Sequence, residues 1–205
     1  MRLKVNPNRM ELLRLRRRLI LAEKGYKLLE DKLDELMRFF LASLKEIKEL
    51  QKELDLKIKE AFLNLILARS LMRKEDFQKA IQPKEALKIN FKTKRLLNLD
   101  LPEINLEDIP DIFHYDFFNT PSELDLGLLK FKAIMPKLIR LANLYKICQL
   151  VSTEIEKTRR RKNALEYILI PSIKETIDYI TDRLSELERE NLVRLMRIKE
   201  LIRIH

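Results

Sequence analysis

The side chains whose type and spacing could do chemistry are cations. Lys157, Arg159, Arg160, Arg161 and Lys162 fall within six positions, and like charges packed into two helical turns repel one another unless an anion is supplied from outside. Their chemistry is therefore anion holding, against an acidic protein surface, a phosphate backbone or, in the simplest case, water along a solvated helix face with pairs to Glu154 and Glu156. Residues 1–32 add ten Lys or Arg against four acids, Arg9, Arg16 and Arg17 among them. Between Asn98 and Leu126 the sign reverses, with eight acids and no Lys or Arg. Phe113, Tyr115, Phe117 and Phe118 sit in that acidic stretch beside His114, as a small core or as a docking surface.

Other chemistries fail on residue type. His114 and His205 have no Cys or His companions at ligand spacing, so no metal site is expected. Cys148 is the only cysteine, which rules out an intrachain disulfide. With Gly25 and Gly127 as the only glycines, neither a Walker A loop nor a dinucleotide fingerprint can be written. No apolar run approaches the roughly 18 to 20 residues of a membrane span, and the start MRLKVNPN lacks the apolar core of a signal peptide. The expectation is a soluble, cytoplasmic chain. The net charge of +10 favours an acidic partner. A nucleic-acid reader, however, wants aromatics among its basic residues, and here they cluster in the acidic segment.

Two long elements must position these residues. From Leu15 to Leu54 apolar residues step by alternating fours and threes through Leu19, Ala22, Tyr26, Leu29, Leu33, Leu36, Phe40, Ile47 and Leu50, with only Ser43 breaking the row, and this spacing is a coiled-coil seam. A second seam runs through Ile173, Ile177, Ile180, Leu184, Leu187, Leu195, Ile198 and Ile202, interrupted by Asn191. The fold class this implies is all-α, a long antiparallel two-helix coiled coil with the two seams matched in length. Asn6 as N-cap and Pro7 at the first helical position start a helix expected to reach about Lys79, on the order of 100 Å at ~1.5 Å per residue. After Leu54 the spacing through Ile58, Ala61, Leu65, Ala68 and Met72 predicts a stutter, where the rod should straighten or loosen.

The middle differs in kind. Pro83, Pro102, Pro110 and Pro121 exclude a further long helix. Alternation of Leu87, Ile89 and Phe91 with Lys88, Asn90 and Lys92, and of Leu97, Leu99 and Leu101 with Asn98 and Asp100, predicts a short hairpin turning at Thr93–Leu96. Thr120, Pro121 and Glu123 read as a capping box opening the second long helix, in which Pro136 and Pro171 predict a kink or break. Gly25, mid-helix, either permits a close helix approach or is tolerated drift, with close packing the preferred reading. The organisation expected is a long helix over 1–80, a knob over 81–119 and a second long helix over 120–205.

Pro7, Arg9 and Leu12, then Leu15, Leu19, Ala22, Gly25, Leu28, Leu29, Lys32, Asp34, Glu35 and Leu36 resemble the N-terminal signature of the family of D subunits of V-type and archaeal-type rotary ATPases. The run EKTRRRKNALEY from Glu156 to Tyr167, with Ile170-Pro171, Thr176-Ile177, Tyr179-Ile180 and Glu188-Arg189-Glu190, resembles that family's C-terminal helix. Lys162 departs from it, standing where an aliphatic residue is expected.

The resemblance implies a central rotor shaft that couples rotation of the membrane ion ring to ATP synthesis or hydrolysis and is not itself catalytic. It implies no cofactor and no direct nucleotide or membrane insertion, with peripheral attachment to the membrane through the complex. The implied partners are the catalytic and non-catalytic subunits of the hexamer, the small F subunit of the rotor and the socket subunit above the membrane ring. Arg9, Arg16, Arg17, Lys157, Arg159, Arg160 and Arg161 are then candidate hexamer contacts, and Phe113, Tyr115, Phe117 and Phe118 candidate docking residues for the F subunit. The alternative is a basic coiled-coil protein that binds nucleic acid or acts as a structural adaptor.

Overall fold

The computed structural model describes residues 5–82, 86–109, 115 and 120–204. Helix α1 spans Arg9–Leu71 and a short α2 spans Lys74–Ile81. Strands β1 (Lys88–Leu96) and β2 (Leu99–Asp108) follow, then α3 (Ser122–Ala164), a π-helical turn at Leu165–Leu169, and α4 (Ile170–Ile204). The chain divides into two compact units, Met1–Glu35 with Ile155–His205, and Leu36–Glu154.

Each unit is an antiparallel helix pair; in the first the two seams meet each other, whereas in the second the partner of α1 is α3, which lies outside the second seam. In the first, Leu15, Ile173 and Ile180 are buried, with Leu12, Leu19, Leu169, Ile177 and Leu184 packed against them. In the second, Leu54, Ala61 and Ile134 form the core under Ile58, Phe131, Leu138 and Leu141. Burial follows the seam because i, i+3 and i+4 share one helix face. The most buried position passes from Leu15, Ala22, Leu36 and Ser43 to Ile47, Leu54, Ala61 and Ala68, while Leu50, Ile58 and Leu65 are half-buried. The phase of burial thus changes between Ser43 and Ile47, ahead of the stutter expected after Leu54.

Several local expectations are corrected. Helix α1 begins at Arg9 rather than Pro7, its first turn closed by Leu12 N–H donating to Asn8 C=O. It stops at Leu71, and α2 restarts after an extended Arg73 instead of continuing to Lys79. The physical reason is the end of the partner. An unpaired amphipathic helix has little to hold it, and α3, with Gly127 set against Leu65, starts at Ser122. Neither Pro136 nor Pro171 breaks the helical run. Pro136 is exposed while Ile134 and Leu138 anchor the opposite face. At Pro171 the preceding turn widens, so that Ile170 N–H reaches back five residues to Leu165 C=O, which makes room for the ring.

The hairpin is present but turns elsewhere. Its two-residue loop is Leu97-Asn98, both at positive φ (49° and 66°), not Thr93–Leu96. A two-residue hairpin loop matched to strand twist requires positive φ at both positions. Asn98 tolerates that, while Leu97 carries the strain of a side chain in the left-handed region. The strands pair antiparallel from Leu96 with Leu99 to Lys88 with Asp108, with an irregularity between Lys88 and Ile89. The preferred reading of close packing at Gly25 is also corrected. A Cβ on Gly25 would meet nothing within 4 Å, whereas one on Gly127 would lie 2.9 Å from Leu65 Cδ2, so Gly127 is the glycine that permits close packing.

Candidate functional site

In the first unit the helical register sorts the basic run. Thr158 takes the buried seam position, and Lys157, Arg159, Arg160 and Arg161 consequently face solvent. Arg160 pairs with Glu156 one turn back. Lys157, Arg159 and Arg161 have no ion pair among the described residues. Lys162 turns inward instead. It is 20% exposed, its Nζ donates to Glu30 Oε1 at 2.7 Å and lies 5.2 Å from the Tyr26 ring centroid. The bond to Glu30 pushes the lysine pKa up, and the same bond holds the Glu30 carboxyl below its ordinary range. The seam position that departs from an aliphatic residue thus holds a cation satisfied by a carboxylate and an aromatic face.

Arg9 pairs with Glu188 at 2.6 Å, and Arg16 and Arg17 are exposed without an ion pair among the described residues. The candidate cations do not form one cluster. Glu30 faces Lys162, so Arg16 and Arg17 lie on α1 some fourteen residues before that level, on the order of 20 Å along the helix. What results is two basic levels on one helix pair, each able to meet an acidic surface.

The α4 seam outruns its partner. Arg9, the first residue of α1, contacts Glu188, yet α4 continues to Ile204. Leu195, Ile198 and Ile202 extend the seam pattern but are exposed, as is Leu187 at its edge. The expectation of matched seam lengths is therefore corrected: the last turns of α4 present an apolar stripe that no described helix of this chain covers.

In the second unit three cross-helix ion pairs flank the core, Arg140 to Glu46 at 2.5 Å, Lys137 to Glu53, and Lys130 to Glu60 at 3.4 Å. Glu53 is shared by Lys137 and Lys57, which hold its pKa down at about 2. A cleft of about 680 Å³ opens among β2, α1 and α3, with Leu101, Ile104, Pro136, Ile139 and Phe39 in its walls. Asn143 also lines it, and among the described residues no donor reaches its buried Oδ1. Beyond Leu54, α1 exposes Leu56, Phe62, Leu63, Ile66 and Leu67, and α3 exposes Leu126 and Leu129 nearby in the same unit. Patches of this kind mark interaction surfaces.

Of the four aromatic docking candidates only Tyr115 is described. Its hydroxyl donates to Asp125 in the first turn of α3, and burial together with that bond pushes its pKa up. Phe113, Phe117, Phe118 and His114, like His205, lie outside the described residues. Cys148 is buried, which raises its thiol pKa. No group of His, Cys, Asp and Glu that could hold a metal occurs among the described residues, and no described helix is long and apolar enough to cross a membrane. The cleft, the overhanging stripe and the patch on α1 were not found from the sequence. Exposed apolar residues at helical spacing looked like continuing seam there.

Paired helices presenting charged and apolar surfaces define a protein that works through contacts with other chains. The family follows from comparison. The model of the family described as the D subunit of ATP synthase matches residues 11–200. The D subunit of a V-type ATP synthase from Clostridium botulinum is 42% identical over 208 aligned positions, covering 98% of this chain and 96% of the relative. The one from Clostridium novyi is 44% identical over 207 positions at the same coverage, and the one from Acetivibrio thermocellus is 40% identical over 205, covering 92% of the relative. The chain belongs to this family of ATP synthase D subunits, components of V-type rotary ATPases.

Proposed function

We propose that this chain is the central rotor shaft of a V-type rotary ATPase or ATP synthase, transmitting rotation between a membrane ion ring and a catalytic hexamer without doing chemistry of its own. The observation that carries this reading is the family match from residue 11 to residue 200, which takes in both helix pairs. The exposed surfaces support it. Arg16, Arg17, Lys157, Arg159 and Arg161, with the apolar stripe at the end of α4, suit a bore whose wall offers acidic and apolar groups to a turning surface. Exposed ion pairs contribute only ~0.2–1 kcal/mol each, which biases angular positions without locking them. Arg9 and Arg160 hold intrachain pairs and would exchange them for contacts on the hexamer.

The small F subunit of the rotor is assigned to the second unit. The cleft there offers an unmet acceptor at Asn143 and apolar walls to a docking segment. The apolar patch on α1 from Leu56 to Leu67 is assigned to the socket subunit above the membrane ring.

Replacing Arg159, Arg160 and Arg161 together by Gln in a reconstituted complex tests the basic surface. Assembly affinity or ATP turnover should fall while helicity and melting of the isolated chain stay within about 1 kcal/mol of wild type. Unchanged assembly and turnover would refute the contact. A large loss of stability in the isolated chain would assign the arginines to intrachain pairing instead.

A further inference from the structure

Between two ion pairs the seam of the first unit has only half-buried apolar residues, Leu29, Leu165 and Leu169 among them. Lys174 Nζ to Glu23 Oε1 at 3.3 Å marks one side, and Lys162 Nζ to Glu30 Oε1 at 2.7 Å the other. Residues 23–30 of α1 therefore lie against residues 162–174. On the α1 side sits Gly25, with open space where its Cβ would be, so no packing compensates the flexibility a glycine gives a helix. On the facing side lie the π turn Leu165–Leu169 and then Pro171. Wide turns and prolines are two of the recognised places where helices bend.

The seam here is also short of apolar layers. Along α1 no apolar residue is fully buried between Ala22 and Leu36, and on the facing strand of helix none is between Val151 and Ile173. The buried residues in that interval are the hydroxyl-bearing Thr158 and Ser172. Ser172 Oγ donates to Leu169 C=O, a bond that returns to its own helix. Such back-bonding also favours bending. Tyr167 and Ile168, on the π turn itself, are 70% and 66% exposed and add no interhelical packing.

We infer that residues 23–30 and 162–171 form a compliant joint, a level at which the first unit's helix pair bends and twists while the Lys162–Glu30 and Lys174–Glu23 pairs keep its register. Ion pairs on long lysine side chains tolerate small rotations that interdigitated Leu and Ile layers do not. Under torque the pair then yields here before it yields at the Leu15–Ile180 layers. Only this last consequence rests on the rotor reading; the compliance itself belongs to the folded chain.

Amide hydrogen exchange of the full-length protein tests it, resolved along the first unit. Amides of 23–30 and 165–170 should exchange about tenfold faster or more than those of 12–19 and 177–184, because local opening reports local stability. Gly25→Ala meets no neighbour, so it should fold normally. It should slow exchange about fivefold over 23–30, the helix preference of Ala over Gly, and slow 165–170 as well if the two sides open together. Pro171→Ala should also slow 165–170. Uniform protection along the pair would overturn the proposal, as would a Gly25→Ala variant whose exchange at both sides matches wild type. ATP turnover of the reconstituted complex reports separately on the rotor reading.

Discussion

The two helix pairs solve the same problem with different materials. The second brings its backbones close, using Gly127 against Leu65 and Ala61 in the core beside Leu54 and Ile134, and flanks that core with three cross-helix ion pairs. The first has strong apolar layers at Leu15, Ile173 and Ile180, then gives the next part of its seam to Thr158, Lys162 and Ser172. Close packing makes one pair stiff and sensitive to volume. Polar layers make part of the other tolerant of movement, and leave its outer faces basic.

The largest test of that contrast is truncation in the seam. Ile134→Ala should cost about 2–5 kcal/mol of stability through lost burial and the cavity left behind, read by denaturant unfolding. Thr158→Ala, about as buried, should cost no more than about 1 kcal/mol. Little side-chain volume is lost there, and Ala is the better helix former. Similar losses at the two positions would break the comparison.

Next are the glycines. Gly127→Ala forces Leu65 aside and should destabilise by about 1–2 kcal/mol after its helix-propensity gain. Gly25→Ala should raise stability by ~1 kcal/mol. Opposite shifts in thermal melting are expected, and shifts of one sign would show that Leu65 adapts freely. In the hairpin of the second unit, Leu97→Asn relieves a left-handed leucine and should gain on the order of 1 kcal/mol locally, visible as slower exchange of amides 90–96.

The smallest effect is electrostatic. Glu53 is held at about 2 by Lys137 and Lys57, below its ordinary 4.5. A carboxyl with a depressed folded pKa contributes stability that is present above 4.5 and lost as pH falls towards 2. Glu53→Gln should therefore unfold slightly more easily than wild type near neutral pH, with the difference closing through that acid range. An unchanged gap at low pH would mean that packing by the side chain, not its charge, matters there. Glu30 works with the same sign in the first unit.

Much of the architecture could be read from periodicity. The alternation of fours and threes through Leu15, Leu36 and Leu54 requires one buried face whatever the partner. The hairpin's existence was legible in its alternation. Its turn was not, because Leu97 continues the apolar pattern and nothing in its side chain announces a positive φ. The basic run was visible as a cluster, but which of its members faces inward depends on the phase of the helix against its neighbour.

Sequence alone thus determined the helical class, the two seams, the glycine-poor composition that rules out phosphate loops, and the family signature at either end. Tertiary structure decided where each pattern meets a partner. Leu195 and Ile198 follow the same rule as Ile173 and Ile180 but end up exposed, because α1 begins only at Arg9, opposite Glu188. Lys162 belongs to a run of cations but is drawn into the seam, because Glu30 and Tyr26 stand across from it. Gly25 and Gly127 are identical residues in similar helices, and only the distance to Leu65 makes one of them necessary. Periodicity fixes which face of a helix is apolar, but burial also requires a second surface at that position, and where the second surface begins and ends is set by the packing of the whole chain.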